Sequence, residues 1–195
     1  MAKTIDEMYV EYRSIYDSVI TAIPFEEMVN VEEFKKCPCA PALDSGVAYD
    51  GALMYHITLV LHFAKQLSSN GIFGTLNLVT EESLKKVIVL HQLGKVGMFI
   101  PNTDDWQVKK LGKVYNFAES SVCLKTGERS RLLCSNAGIK FTPEEYEAMT
   151  IMDKTAEEYE NMSKHRTMLS TIIRMANEMA FTMERERFKM MNTNK

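Results

Sequence analysis

Apolar residues recur at three- and four-residue spacing along most of this chain, the pattern of helices that each bury one face. Over residues 4–22, Ile5, Met8, Tyr9, Tyr12, Ile15, Tyr16, Val19 and Ile20 fall on one such face, and Pro24 closes the segment. Residues 25–36 read as a short second helix ending at Cys37-Pro38. Residues 38–51 hold two prolines, two glycines and two aspartates and read as a loop. A buried helix is predicted over 52–67 from Leu53, His56, Ile57, Val60, Leu61, Ala64 and Leu67, with turn residues at 68–71. Thr80, followed by Glu81 and Glu82, starts the next helix, which runs to Leu93 and stops at Gly94. Periodicity is lost over 97–120, where an irregular excursion with a short hairpin around Trp106 and Tyr115 is expected. A helix over 127–136 is stopped by Gly138, and Thr142-Pro143-Glu144-Glu145 is the strongest helix start in the chain. Residues 163–190 form a long amphipathic helix with Met168, Leu169, Ile172, Ile173, Met175, Ala176, Met179 and Ala180 on its buried side. The fold class that follows is all-α, mostly helical, with no internal repeat.

Composition narrows the setting. The 195 residues suit a single domain with terminal extensions. A net charge of −3 gives no general footprint for nucleic acid, so such a role would rest on a local patch. The candidate is the run from Trp106 through Lys109, Lys110 and Lys113 to Tyr115, which interleaves aromatics with lysines. No apolar stretch is long enough to span a bilayer, and the first residues lack a charged-then-apolar leader. No membrane partner is therefore expected, and the cytoplasm of the producing cell is the expected location. Cys37, Cys39, Cys123 and Cys134 complete no zinc ligand set and read as reduced thiols. The chain holds 14 methionines, many in its last third, which suit either core packing or an adaptable protein-binding surface; packing is the favoured reading.

His56 and His91 occupy buried positions on two successive helices, and such histidines can converge on one point of a bundle. Taken alone, each is a core histidine with a satisfied ring. Lys95 and Arg129 could hold a phosphate by charge and hydrogen bonding; the plainer reading is a surface lysine and a salt-bridged arginine.

Three stretches carry a resemblance. They are Ala48-Tyr49-Asp50-Gly51-Ala52-Leu53-Met54-Tyr55-His56, then Leu90-His91-Gln92-Leu93-Gly94-Lys95, then Gly127-Glu128-Arg129-Ser130 with Gly138-Ile139-Lys140-Phe141-Thr142-Pro143-Glu144-Glu145. In order and spacing they resemble the HD-domain metal-dependent phosphohydrolases, in the style of bacterial and phage members. The resemblance implies an HD-like helical bundle over 38–185, with 1–37 as an N-terminal helical extension and 186–195 as a tail. It also implies a divalent metal held by a His, a His-Asp doublet and a distant Asp. His56 and His91 match the two histidines. Gln92 stands for the doublet's Asp and Asn177 for the last Asp, while Thr126 and Met152 stand where the family has two further histidines.

Gln and Asn keep an oxygen but lose the charge that a hard divalent cation favours. His56, His91, Gln92 and Asn177 are therefore expected to be a vestigial site, with no metal and no other cofactor. The expected function is a non-catalytic HD-like module, structural or protein-binding, in a phage-encoded multi-chain assembly such as a virion. Contacts with other protein chains are expected at Tyr9, Tyr12 and Tyr16 and at Phe188 and Met191. The alternative is a divergent phosphohydrolase acting on a nucleotide or phosphoester, with zinc on the two histidines plus Asp50 or Glu128. A third reading is a nucleotide-binding pseudoenzyme using Lys95 and Arg129.

Overall fold

The structure, a computed structural model, describes residues 3–69, 78–120, 122–162 and 164–193. The chain is all-α: ten α-helices and one two-stranded ribbon are found among the described residues. Helix α1 spans Ile5–Asp17, opened by a capping box in which Thr4 and Glu7 bond each other's backbone amides. It ends before the predicted residue 22, although Val19 and Ile20 still pack on the core. The expected single helix over 25–36 is two, α2 (Phe25–Met28) and α3 (Val31–Lys35). Asn30 divides them, because its side chain accepts from the Glu32 and Glu33 amides at 3.0 and 3.2 Å and so starts a new helix.

Helix α4 (Ala52–Ser69) is the buried central helix, and α5 (Glu81–Leu90) begins at the Thr80 cap as its sequence predicts. Part of the turn expected at 68–71 lies outside the described residues. The irregular excursion is an antiparallel ribbon, β1 (Phe99–Pro101) with β2 (Tyr115–Phe117), and helix α6 (Asp105–Leu111) fills the connection. Trp106 lies on α6 with 61% of its surface exposed, so the ribbon closes without it. Four helices follow: α7 (Thr126–Asn136), α8 (Pro143–Ala148), α9 (Ala156–Asn161) and the long α10 (Met168–Thr193).

Helix α10 packs most extensively on α4. Its buried side differs in part from the expected one. Leu169, Ile172, Ile173, Ala176 and Ala180 are buried, but Met175 and Met179 are about two-fifths exposed, and the stripe continues through Asn177 and Glu184. Polar residues complete this face because they meet polar partners on α4, described below.

The N-terminal segment shares the main core. Tyr12, Tyr16, Phe25 and Phe34 are fully buried, with ring centroids 4.6 Å apart for Tyr12–Phe34 and 4.9 Å for Phe25–Phe34. The Tyr12 hydroxyl donates to the Val89 carbonyl of α5 at 2.8 Å.

After α5 the chain makes a single 3-10 turn at Leu93–Lys95 and is pressed against the start of α7. A Cβ at Gly94 would run into the Thr126 carbonyl, the Arg129 side chain and the Ser130 amide. Ser130 ties the junction: its Oγ accepts from the Gly94 amide at 2.8 Å and sits 2.9 Å from the His91 carbonyl. Gly94→Ala is expected to lower unfolding free energy by about 2–3 kcal/mol through overpacking, read by urea denaturation. An unchanged midpoint would mean that this junction yields more easily than its geometry indicates.

Candidate functional site

Three helices bring His56, His91, Gln92 and Asn177 together in the interior, where each is at most 3% exposed. His56 projects from α4. His91 and Gln92 stand at the C-terminal end of α5, where the helix passes into the 3-10 turn. Asn177 comes from α10 and is followed on the same face by Phe181 and Glu184, four and seven residues later. These three clasp the His56 ring. Asn177 Oδ1 lies 3.0 Å from Nε2, Glu184 Oε2 lies 2.8 Å from Nδ1, and Phe181 packs on the ring face with centroids 4.1 Å apart.

The hydrogen-bond inventory fixes where the protons sit. His91 Nδ1 is 2.9 Å from the Ile88 carbonyl, which can only accept, so Nδ1 carries the hydrogen and Nε2 keeps its lone pair. Gln92 Nε2, 3.2 Å from that lone pair, donates to it. The same amide nitrogen donates to Asn177 Oδ1 at 2.6 Å. Since Asn177 therefore presents oxygen here, His56 Nε2 must carry a hydrogen and donate as well. The remaining proton lies between His56 Nδ1 and Glu184 Oε2. Gln92 Oε1 accepts from the Cys39 thiol at 3.5 Å, and Lys95 Nζ donates to the Cys39 carbonyl and sulfur at 2.7 and 3.1 Å.

Burial disfavours the charged imidazolium and lowers the His91 pKa from 6.5 to about 4, with the Ile88 carbonyl opposing the shift. The unfolded chain thus binds one more proton at this site between those values. Its contribution to stability is complete above about pH 6.5 and is lost as pH falls toward 4, by about 3 kcal/mol in all. His91→Asn is expected to flatten the dependence of unfolding free energy on pH between 7 and 4.5. An equal slope in both proteins would show that His91 takes up its proton alike in the folded and unfolded chains.

Phe181 forms one wall of a cavity of about 190 Å³ beside the cluster, which His91, Gln92, Lys95, Thr126, Met152, Asp153 and Asn177 also line. The Asp153 carboxylate accepts from the Gly127 and Glu128 amides at 3.1 and 3.2 Å, so the N-terminus of α7 already faces an internal anion. Burial raises the Asp153 pKa against those two amides. Arg129 lies away from this cavity, with Nη2 3.4 Å from the Val96 carbonyl.

A divalent metal does not fit the residues present. The ring nitrogens that face the centre, His56 Nε2 and His91 Nε2, are both engaged with side-chain amides, and one carries a hydrogen. Glu184 is on the opposite edge of the His56 ring. Asp50 is exposed and accepts from the Tyr115 hydroxyl at 3.1 Å, and Glu128 closes the capping box at Lys125. Among the described residues no group of three or more His, Cys, Asp or Glu is placed to hold a metal ion.

The residues expected at an interface separate into two kinds. Tyr12 and Tyr16 are turned inward, a correction that follows from the aromatic cluster they complete, and Tyr9 is half-buried at its edge. Phe188 is half-buried, and Met191 is exposed on the last turns of α10. Two residues that bond the cluster were not expected there, Glu184 and Cys39. Glu184 could have been found as an acid seven residues beyond Asn177 on an otherwise apolar face; Cys39 carried no such signal.

No family model, no curated protein and no solved structure matches the chain. Among the described residues no helix is long and apolar enough to cross a membrane.

Proposed function

We propose that the chain is a non-catalytic HD-like domain that serves as a structural or protein-interaction module in a multi-chain assembly. A phage particle is the setting that the sequence resemblance suggests. The observation that carries the proposal is the closed network at the histidine pair. At the positions where the resemblance puts carboxylates, Gln92 Nε2 and Asn177 Oδ1 are spent on the two rings and on each other, and Gln92 Oε1 accepts from the Cys39 thiol. A site organised in this way holds helices together and leaves no ligand edge for a metal-bound water.

The surface of α10 supports the second half of the proposal. Met175, Met179, Met183 and Met190 are 39, 41, 40 and 67% exposed and follow one another along one side of the helix. Flexible thioethers in a row suit a protein contact better than solvent. The phosphohydrolase alternative draws support from the cavity beside the network, which has Lys95 and Asp153 on its wall.

The test is to purify the protein without chelators, analyse it for transition metals and magnesium, and measure its mass in solution. The expected result is less than about 0.1 metal per chain together with a mass above that of a monomer, or a partner recovered from its native source. A metal-loaded monomer that hydrolyses a phosphoester would replace this reading with the alternative.

A further inference from the structure

We infer that the groove between α1, α4 and the end of α10 is a binding site for a neutral, mostly apolar small molecule bearing a hydroxyl group at its buried end. The inference is independent of the HD-like reading. The groove has a volume of about 570 Å³, within the range of small-molecule sites, and lies on the far side of Glu184 from the amide network. Its walls are apolar and aromatic: Met8, Tyr49, Tyr55, Leu59, Phe188 and Met191.

Glu184 lines this groove and is 4% exposed. One of its oxygens, Oε2, is committed to His56 at 2.8 Å. The other, Oε1, is buried and has no hydrogen-bond partner among the described residues. A buried carboxylate oxygen without a donor is costly, so a polar hydrogen supplied from the groove is what the site lacks. The charges nearby select the donor. At the rim Lys3 is paired with Glu11 at 2.6 Å and Arg187 stands exposed, so the rim keeps one net positive charge against an entering cation, and His56 already faces the carboxylate from behind. A neutral hydroxyl satisfies Oε1 without that opposition, while the walls bury the apolar remainder of the ligand.

The test uses 1-naphthol and 1-methoxynaphthalene, which share an aromatic body and differ in the hydroxyl donor, titrated by calorimetry into the whole protein. Naphthol is expected to bind about tenfold more tightly than the methyl ether, the difference of one hydrogen bond to a charged acceptor. In Glu184→Gln the neutral His56 ring keeps its one hydrogen on Nε2 for Asn177, so the amide NH2 turns to Nδ1 and a neutral oxygen faces the groove; the preference for naphthol should shrink to that of a hydrogen bond to an uncharged acceptor. Leu59→Trp, a change outside the network, should weaken both ligands by filling the groove while unfolding stays cooperative. The inference is overturned if neither compound binds, if the two bind equally to the unaltered protein, or if the preference survives Glu184→Gln undiminished.

Discussion

Asn177→Leu is expected to destabilise the protein by about 4 kcal/mol, although leucine repeats the branching of asparagine with the same number of side-chain heavy atoms. The substitution removes the oxygen that accepts both from Gln92 Nε2 and from His56 Nε2. One hydrogen on each of these two buried nitrogens then loses its acceptor, at about 1–3 kcal/mol each. A loss of that size is a large share of the 5–15 kcal/mol typical of a domain. Asn177→Asp keeps both accepting positions and is expected to cost less. Urea denaturation of the two variants separates hydrogen bonding from packing. Equal and small losses would mean that water takes the place of the Asn177 oxygen and that the network is looser than its geometry.

The largest gain is expected from Gln92→Asp combined with Asn177→Asp. The double variant places two carboxylates against two imidazoles and removes the amide that now caps the His91 lone pair. Without metal it should be less stable than the unaltered protein, because like charges are buried together. With manganese or zinc at a hundred times the dissociation constant, about 2.7 kcal/mol of stability should return, and the thermal midpoint should rise with metal concentration. The unaltered protein should show no such dependence. A double variant indifferent to metal would mean that the helices have moved apart from a ligand geometry as well as losing its charge.

Much of the fold was legible because helix signals are local. Thr80 and Thr142 cap the helices that their sequences announce, and the 52–67 stripe falls on α4. What failed depended on neighbours. The break at Asn30 turns on which carbonyl and amide groups a short polar side chain can reach. The burial of Tyr12 and Tyr16 turns on Phe25 and Phe34 arriving from the next two helices. The exposed methionines of α10 are as apolar as the buried residues beside them, so hydropathy could not assign the face.

The candidate site was legible to a similar extent. Histidines and amides from three separated stretches could be named from sequence, and the structure brings the four residues together. Their chemistry was not readable, because it depends on Glu184, whose role appears only when α10 is laid along α4. Glu184 holds the outer edge of the His56 ring, and Asn177 Oδ1 at the inner nitrogen makes it a hydrogen-bearing ring instead of an available ligand. Lys95 and Arg129 line different cavities, and each has its cationic group at a backbone carbonyl.

The central claim is that the inward nitrogens of the histidine pair are taken up by amides, and nitrogen NMR of the histidine side chains reads this directly. At pH 7 the His56 Nε2 should carry a hydrogen, His91 should be neutral with its hydrogen on Nδ1, and one equivalent of zinc should leave both patterns unchanged. A bare His56 Nε2, or a shift of either ring on adding zinc, would contradict the account.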